Sequence, residues 1–264
     1  MTSESGRRKS VARMKKLLPL CALLLSILAA ASSFAGVRHF TYLYEAPTSA
    51  PGSVELENTV TWARTTDGGL HLDDVGFREE IEIGITDHFQ LGVYPLDWGY
   101  HGGNGNDGFS YDGGAIELIY NLSNPVVDPI GVSLYQEIRA GRQHFESESK
   151  LIAQKNLGPL ILDYNATLEA DWAEQGLKQT SGELQQALGA SYEISPRLSV
   201  GLELIHEFIF PDWRDDANIR NLFVGPNVSV RSGRWFVTVT ALVQATNTAS
   251  EPDFQVRTIS GIDF

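Results

Sequence analysis

The sequence predicts an all-β fold: a transmembrane antiparallel β-barrel of about twelve strands, preceded by a signal peptide. Three observations carry this expectation. Apolar and polar residues alternate with a period of two almost everywhere after Gly36. The N-terminus has the layout of an export signal. The last segment alternates up to an aromatic residue, Phe264.

The first element is the export signal. Arg7, Arg8, Lys9, Arg13, Lys15 and Lys16 form a basic stretch, and Leu17 to Ala31 is almost wholly apolar. Ser33-Phe34-Ala35 then sets small residues around one position before Gly36. Basic, apolar and small-x-small regions in that order make a cleavable secretory signal over residues 1–35, with Met14 as an alternative start. The apolar run is short for a spanning helix, which needs about 20 residues. Cys21 is the only cysteine and lies inside the apolar run, so the exported chain has no disulfide or thiolate chemistry.

Charge narrows the partners. The whole chain has 20 Lys and Arg against 33 Asp and Glu. Six of those basic residues but only one acid, Glu4, fall in 1–35, so the exported part is more acidic still. Bulk charge therefore excludes nucleic acid as a partner. No later stretch is apolar for long enough to make a membrane helix, so a membrane crossing must use strands.

The strands follow in order. Val54, Leu56, Val60 and Trp62 alternate with Glu55, Glu57, Thr59 and Thr61. Phe77, Ile81, Ile83 and Ile85 alternate with Arg78, Glu80, Glu82 and Gly84. The same pattern predicts strands at 53–64, 75–86, 88–97, 113–122, 130–141, 148–156, 159–171, 182–194, 197–209, 218–231, 234–245 and 254–264. Residues 36–52 are read as a periplasmic lead-in and 53–264 as the barrel. Short connections (86–87, 123–128, 156–158, 195–196, 231–233) alternate with longer polar ones (65–74, 98–112, 142–147, 172–181, 210–217, 246–253). That asymmetry is the pattern of outer-membrane barrels, whose short turns face the periplasm. An even strand count keeps both ends on that side.

Aromatics make two belts. Trp62, Trp98, Trp172 and Trp213 fall near expected outer strand ends, and Phe89, Tyr192, Trp235 and Phe264 near inner ones. Phe254, Val256, Thr258, Ser260, Ile262 and Phe264 share one face of the last strand. This resembles the C-terminal strand that barrel-assembly machinery reads, with Phe264 as the assembly signal. The expected partners are that machinery, periplasmic chaperones and outer-membrane lipids.

Residues 40–100 carry a further resemblance. The segments Phe40-Thr41-Tyr42-Leu43-Tyr44-Glu45-Ala46-Pro47 and Gly84-Ile85-Thr86-Asp87-His88-Phe89-Gln90-Leu91-Gly92 resemble poorly characterised outer-membrane barrels of the phenol-degradation (MetA-type) and transporter-labelled groups. The resemblance implies a barrel that admits small hydrophobic or aromatic compounds. It carries over no catalytic residue.

The face opposite the lipid face collects the candidate lumen-lining residues Glu80, Glu82, Glu117, Glu137, Arg139, Asp163, Glu169, Glu183 and Glu203. Confined carboxylates favour cations over anions. The alternative is an interior closed by Glu–Arg and Glu–Lys pairs. The histidines His39, His71, His88, His101, His144 and His206 show no helix metal-ligand spacing, and the zincin motif is absent. His206 falls on the lipid face without a serine two residues away, and His144 lies out of phase with Ser147. The expectation is no catalytic residue, no metal and no cofactor. Loop acids Asp73, Asp74, Asp107, Asp112, Asp215 and Asp216 are candidates for cation bridging, with simple solvation the alternative. The function expected is a passive channel or transporter for a small molecule. A structural or surface-interaction barrel and a lipid-modifying enzyme are the alternatives, and a soluble β-sandwich is the rival fold.

Overall fold

The structure, a computed structural model, describes residues 38–103, 107–173, 176–213, 218–249 and 251–264. The expected signal segment 1–35 with Met14 and Cys21, and the loop acids Asp215 and Asp216, lie outside the described residues.

Twelve strands close into one antiparallel barrel: β1 (Val54–Asp67), β2 (Leu70–Thr86), β3 (Phe89–Gly102), β4 (Gly108–Ser123), β5 (Gly131–Gly141), β6 (His144–Leu157), β7 (Leu160–Ala173), β8 (Gln179–Ser195), β9 (Leu198–Phe210), β10 (Ile219–Ser232), β11 (Trp235–Gln244) and β12 (Phe254–Asp263). Each strand pairs with its sequence neighbours, and β1 pairs with β12 to shut the seam. We call the rim where β1 starts and β12 ends the lower rim, and the opposite one the upper rim.

Burial is inverted relative to a soluble protein. Glu117 and Glu203 are 0% exposed, while Ile116 is 55% and Leu202 58% exposed. A soluble sandwich would bury its leucines against a second sheet; here the apolar face of every strand points outward. Only a lipid environment makes that surface favourable, so the fold is that of a membrane barrel.

The strands run further at the upper rim than alternation predicts. The expected connections 65–74 and 142–147 shrink to two-residue turns, because Asp67 pairs with Leu70 and Gly141 with His144. The expected loop 98–112 is largely β3 and β4. Above the apolar band both strand faces are polar, so the period-two signal fades while the hydrogen-bond ladder continues. Aromatic pairs mark the upper edge of the band. Phe77 stacks on Trp98 with ring centroids 4.0 Å apart. Trp62 meets Phe254 across the β1–β12 seam at 5.8 Å, and Phe145 meets Trp172 at 5.5 Å.

The largest departure concerns the expected lead-in 36–52. Residues 38–49 run inside the barrel as an irregular segment, with Phe40 and Ala46 0% exposed. Residue 38 lies near the lower rim, where its carbonyl accepts from Ser229 (2.8 Å) and Thr238 (2.5 Å). The segment rises to mid-depth and returns to the lower rim at Gly52, whose N–H donates to the Gly84 carbonyl at 2.8 Å. The physical reason is the set of apolar side chains that face inward against the general pattern. Ile161, Ala187, Ile205, Phe223 and Leu242 surround Phe40 and Leu43, and Ile119, Tyr135 and Ile152 surround Ala46. A Cβ on Gly189 would come within 2.5 Å of the Phe40 ring, so a bare backbone there leaves room for it.

Candidate functional site

Residues 38–49, the plug, pair with no strand among the described residues, so their polar backbone needs other partners. Wall side chains supply them. Glu203 takes the N–H groups of Thr41 (3.0 Å) and Tyr42 (2.8 Å), together with donors from Asn227 (2.9 Å) and Thr240 (2.5 Å). Asn165 accepts from the Tyr44 N–H at 2.7 Å and donates back to its carbonyl at 2.9 Å. Gln154 and Gln90 accept from Ala46 and Ser49, both at 2.8 Å. Asn121 and Ser133 donate to the Ala46 carbonyl. A carboxylate or amide rising from a strand thus does for the plug what a neighbouring strand does in a sheet.

Two cavities flank the plug. The lower one, about 310 Å³, is lined by Glu55, Glu82, Gln90, Asn156 and Glu193, among others. The upper one, about 420 Å³, is lined by Glu80, Asp97, Arg139, Glu169, Glu183 and Glu207, among others. Arg38, Tyr44 and Glu57 border both. These three form the partition. Arg38 donates to both oxygens of Glu57, at 3.0 and 2.9 Å, and its guanidinium stacks 4.7 Å from the Tyr44 ring centre.

Strand register adds an order that no single strand shows. Asp263 stands opposite Glu55, and Glu55 opposite Glu82. Glu82 faces Gly92, and Gly92 faces Glu117. Glu117 faces Glu137, which faces Glu148, which faces Glu169, which faces Glu183. This row crosses nine neighbouring strands and is interrupted only at Gly92. Because barrel strands are tilted, a row along the hydrogen-bond direction climbs as it circles. It starts at the lower end of β12 and finishes near the upper end of β8.

Like charges directly opposite are unfavourable, and cations are interleaved to offset them. Arg78 reaches Glu137 at 2.8 Å and Asp97 at 3.1 Å. Arg139 reaches Glu146 at 3.0 Å, Glu137 at 3.2 Å and Asp97 at 3.3 Å. Lys150 reaches Glu148 at 3.0 Å. Higher on the row, Glu183 and Glu207 share the amide of Gln185, at 3.1 and 3.4 Å.

The predicted lumen residues therefore separate into groups. Glu80, Glu82, Glu117, Glu137, Arg139, Glu169 and Glu183 lie together on the row or beside it. Glu203 faces inward but is an anchor for the plug. Asp163 is buried at 3% exposure and accepts from Asn165 at 3.1 Å, which sets that amide for the plug. Sequence reasoning missed Arg38, Arg78, Gln90, Gln154 and Asn165. Their signal was an inward-facing amide or guanidinium at mid-strand, or, for Arg38, a cation within the presumed lead-in.

His39 forms the foot of the plug. Its Nδ1 lies 2.7 Å from Glu45 and its Nε2 3.5 Å from Glu193. Burial works against its charged form, but the two carboxylates outweigh that and hold its pKa above the usual imidazole range. His206 packs outward against Phe208 at 4.4 Å, and His144 pairs with Asp171 at 3.1 Å. At the upper rim Asp73 pairs with Arg64 at 2.9 Å, and Asp74 pairs with His101 at 2.5 Å. Asp107 accepts from the Gly103 N–H at 3.0 Å, and the Ser110 hydroxyl donates to Asp112 at 3.4 Å. Phe264 continues the β1–β12 pairing, its N–H donating to the Val54 carbonyl at 2.9 Å.

A family model described as a family of unknown function (DUF6662) matches residues 32–255, and the chain belongs to that family. No curated protein matches the chain. Among solved structures, the COG4313 outer membrane channel from Pseudomonas putida F1 is similar with a TM-score of 0.66 at 10% identity, over 85% of this chain and 100% of that one. The β domain of the Bordetella autotransporter BrkA is similar with a TM-score of 0.52 at 11% identity, over 81% and 100%. The NanC porin is similar with a TM-score of 0.50 at 8% identity, over 80% and 98%. At such identities the likeness shows the fold alone, and the fold serves both channels and autotransporters.

Proposed function

We propose that this protein is exported by a cleaved signal peptide to the outer membrane, where it forms a gated passage for small cationic or neutral solutes. In this reading the lower rim faces the periplasm, barrel-assembly machinery reads the last strand, and residues 38–49 are the gate. The observation that carries the reading is the climbing row of carboxylates that joins the two cavities past a partition of one ion pair and one tyrosine. A protein that only needed a closed interior could fill it with apolar side chains, as it does around Phe40. An ordered acidic path beside open volume is the arrangement that draws cations inward.

Planar-bilayer recording with a salt gradient tests this. The purified barrel is expected to conduct in brief openings, with a reversal potential that shows cation preference. Deleting residues 38–49 is expected to make the openings long and large. Silence in the deleted form, or anion preference in either form, rejects the proposal.

The plug also favours a second reading, a closed barrel that works through its upper hairpins. Its backbone is bound at Thr41, Tyr42, Tyr44, Ala46 and Ser49, which is firm holding for a gate. Removing the hairpin tip between β3 and β4 would then abolish the protein's phenotype while leaving conductance unchanged.

A further inference from the structure

The partition between the cavities holds more negative charge than its own cation matches. Glu57, Glu80 and Glu82 each present a carboxylate oxygen, and these oxygens all lie within 4.8 Å of one another. All three residues are buried. Arg38 is the cation bonded to this group among the described residues; it grips Glu57 and stands 3.9 Å from Glu82. The Ser49 hydroxyl also donates to Glu82.

A second feature, outside that trio, points to a missing positive partner. Glu117 is 0% exposed, and its Oε1 has no hydrogen-bond partner among the described residues. Its other oxygen accepts from the Tyr44 hydroxyl at 2.9 Å and the Tyr94 hydroxyl at 2.7 Å. Oε1 of Glu80 is likewise buried without a partner. The two carboxylates meet over Gly92, where a Cβ would lie 2.4 Å from Glu80 Oε1 and 3.3 Å from the Glu117 carboxyl carbon. Any side chain at position 92 would separate them. Buried carboxylate oxygens without donors are costly unless a cation serves them.

We propose that Glu57, Glu80, Glu82 and Glu117 form a binding site for a divalent cation of calcium size at the junction of the two cavities. The donors are all hard oxygens, which select alkaline-earth ions over softer metals. Oxygens on opposite sides of a calcium ion stand roughly 4.6–5.2 Å apart, whereas magnesium draws them to about 4.0–4.2 Å. The oxygens of Glu57, Glu80 and Glu82 all lie within 4.8 Å of one another, which one ion can span; what favours calcium is the all-carboxylate cage, since magnesium keeps several of its waters. Access exists from both sides, since Glu80 borders the upper cavity, Glu82 the lower and Glu57 both. The strand spacing explains why no sequence motif announced the site: its ligands come from β1, β2 and β4. The site goes beyond the proposed passage, because an ion can sit there whether or not the barrel conducts.

Terbium is the probe, since Tyr44 and Tyr94 donate to Glu117 and can sensitise its emission. The full-length barrel, folded in detergent, is expected to show saturable tyrosine-sensitised terbium emission that calcium displaces. Glu80→Gln and Glu117→Gln are each expected to weaken binding by roughly tenfold or more, because the number of charged ligands sets calcium affinity. Glu183→Gln, higher on the row, is expected to leave it unchanged. Heat-modifiable migration on a gel verifies that each variant is folded. Should Glu117→Gln fail to fold, Glu80→Gln decides, because its carboxylate makes no hydrogen bond to any described residue that the substitution would break. No saturable emission in the unaltered protein, or equal binding in Glu80→Gln and Glu183→Gln, overturns the site. Conductance is read separately, so a silent barrel that binds terbium leaves the site standing, and a conducting barrel that does not removes the site alone.

Discussion

The two halves of the barrel interior treat the same plug in opposite ways. From β7 to β11 each strand turns an apolar side chain inward, and Ile161, Ala187, Ile205, Phe223 and Leu242 pack around Phe40 and Leu43. From β1 to β6 the wall carries most of the carboxylate row with Arg78, Arg139 and Lys150 between its members, and open volume lies beside it. The drier half grips the plug's apolar side chains, while the wetter half holds its backbone through Gln90, Asn121, Ser133 and Gln154 and leaves more space along it. Apolar packing and paired charge are thus concentrated on different strands, and they can be perturbed separately.

The largest effect should come from the dry half. Phe40→Ala removes a ring that is 0% exposed and costs docking of the plug about 3–5 kcal/mol. Hydrogen exchange of residues 39–49, followed by mass spectrometry, should then speed up by roughly a hundredfold or more, since every 1.4 kcal/mol is about tenfold. Unchanged exchange would break the comparison.

Next comes the anchor. Glu203→Gln replaces an acceptor of four donors with an amide that must turn its own N–H groups toward them. A cost of about 1–3 kcal/mol is expected, concentrated at the Thr41 and Tyr42 amides. Uniform loosening of the whole barrel would blur the division of labour.

The foot of the plug should respond to pH. The docked pKa of His39 is raised, so its contribution is fully present below the free value of 6.5 and fades as pH rises through the docked value. The protection factor near residue 39, taken against the free-peptide exchange rate at each pH, is expected to fall on the alkaline side, and His39→Gln should abolish that fall. A protection factor that falls on the acid side instead would contradict the pairing with Glu45.

The smallest effect belongs to the upper rim. Arg64 and Asp73 pair in solvent, and Arg64→Ala should leave both plug exchange and thermal unfolding unchanged.

The strands were legible because a membrane barrel writes period two into each one. Leu56 against Glu57 and Leu202 against Glu203 already distinguish lipid face from interior. Upper strand ends were less legible, since polar residues on both faces erase the contrast while pairing goes on. The plug was illegible for another reason: Phe40 and Leu43 are apolar enough for any environment, and their partners are single inward residues on five strands. The carboxylates were visible one by one, but their alignment depends on register around the barrel. Glu117 and Glu137 become neighbours only when β4 and β5 pair, and no local pattern encodes that.

The path of the plug also fixes how it answers to a mechanical load. It enters and leaves by the same rim, and its bonds to the wall succeed one another along the segment. A pull on the chain ahead of Arg38 from that side loads the Arg38 contacts first, then Glu203, then Asn165, then Gln154. Bonds loaded in series fail singly at low force, whereas a barrel strand pulled along its axis loads its whole ladder together. The segment is therefore a thread that can be drawn out while the wall around it stays intact.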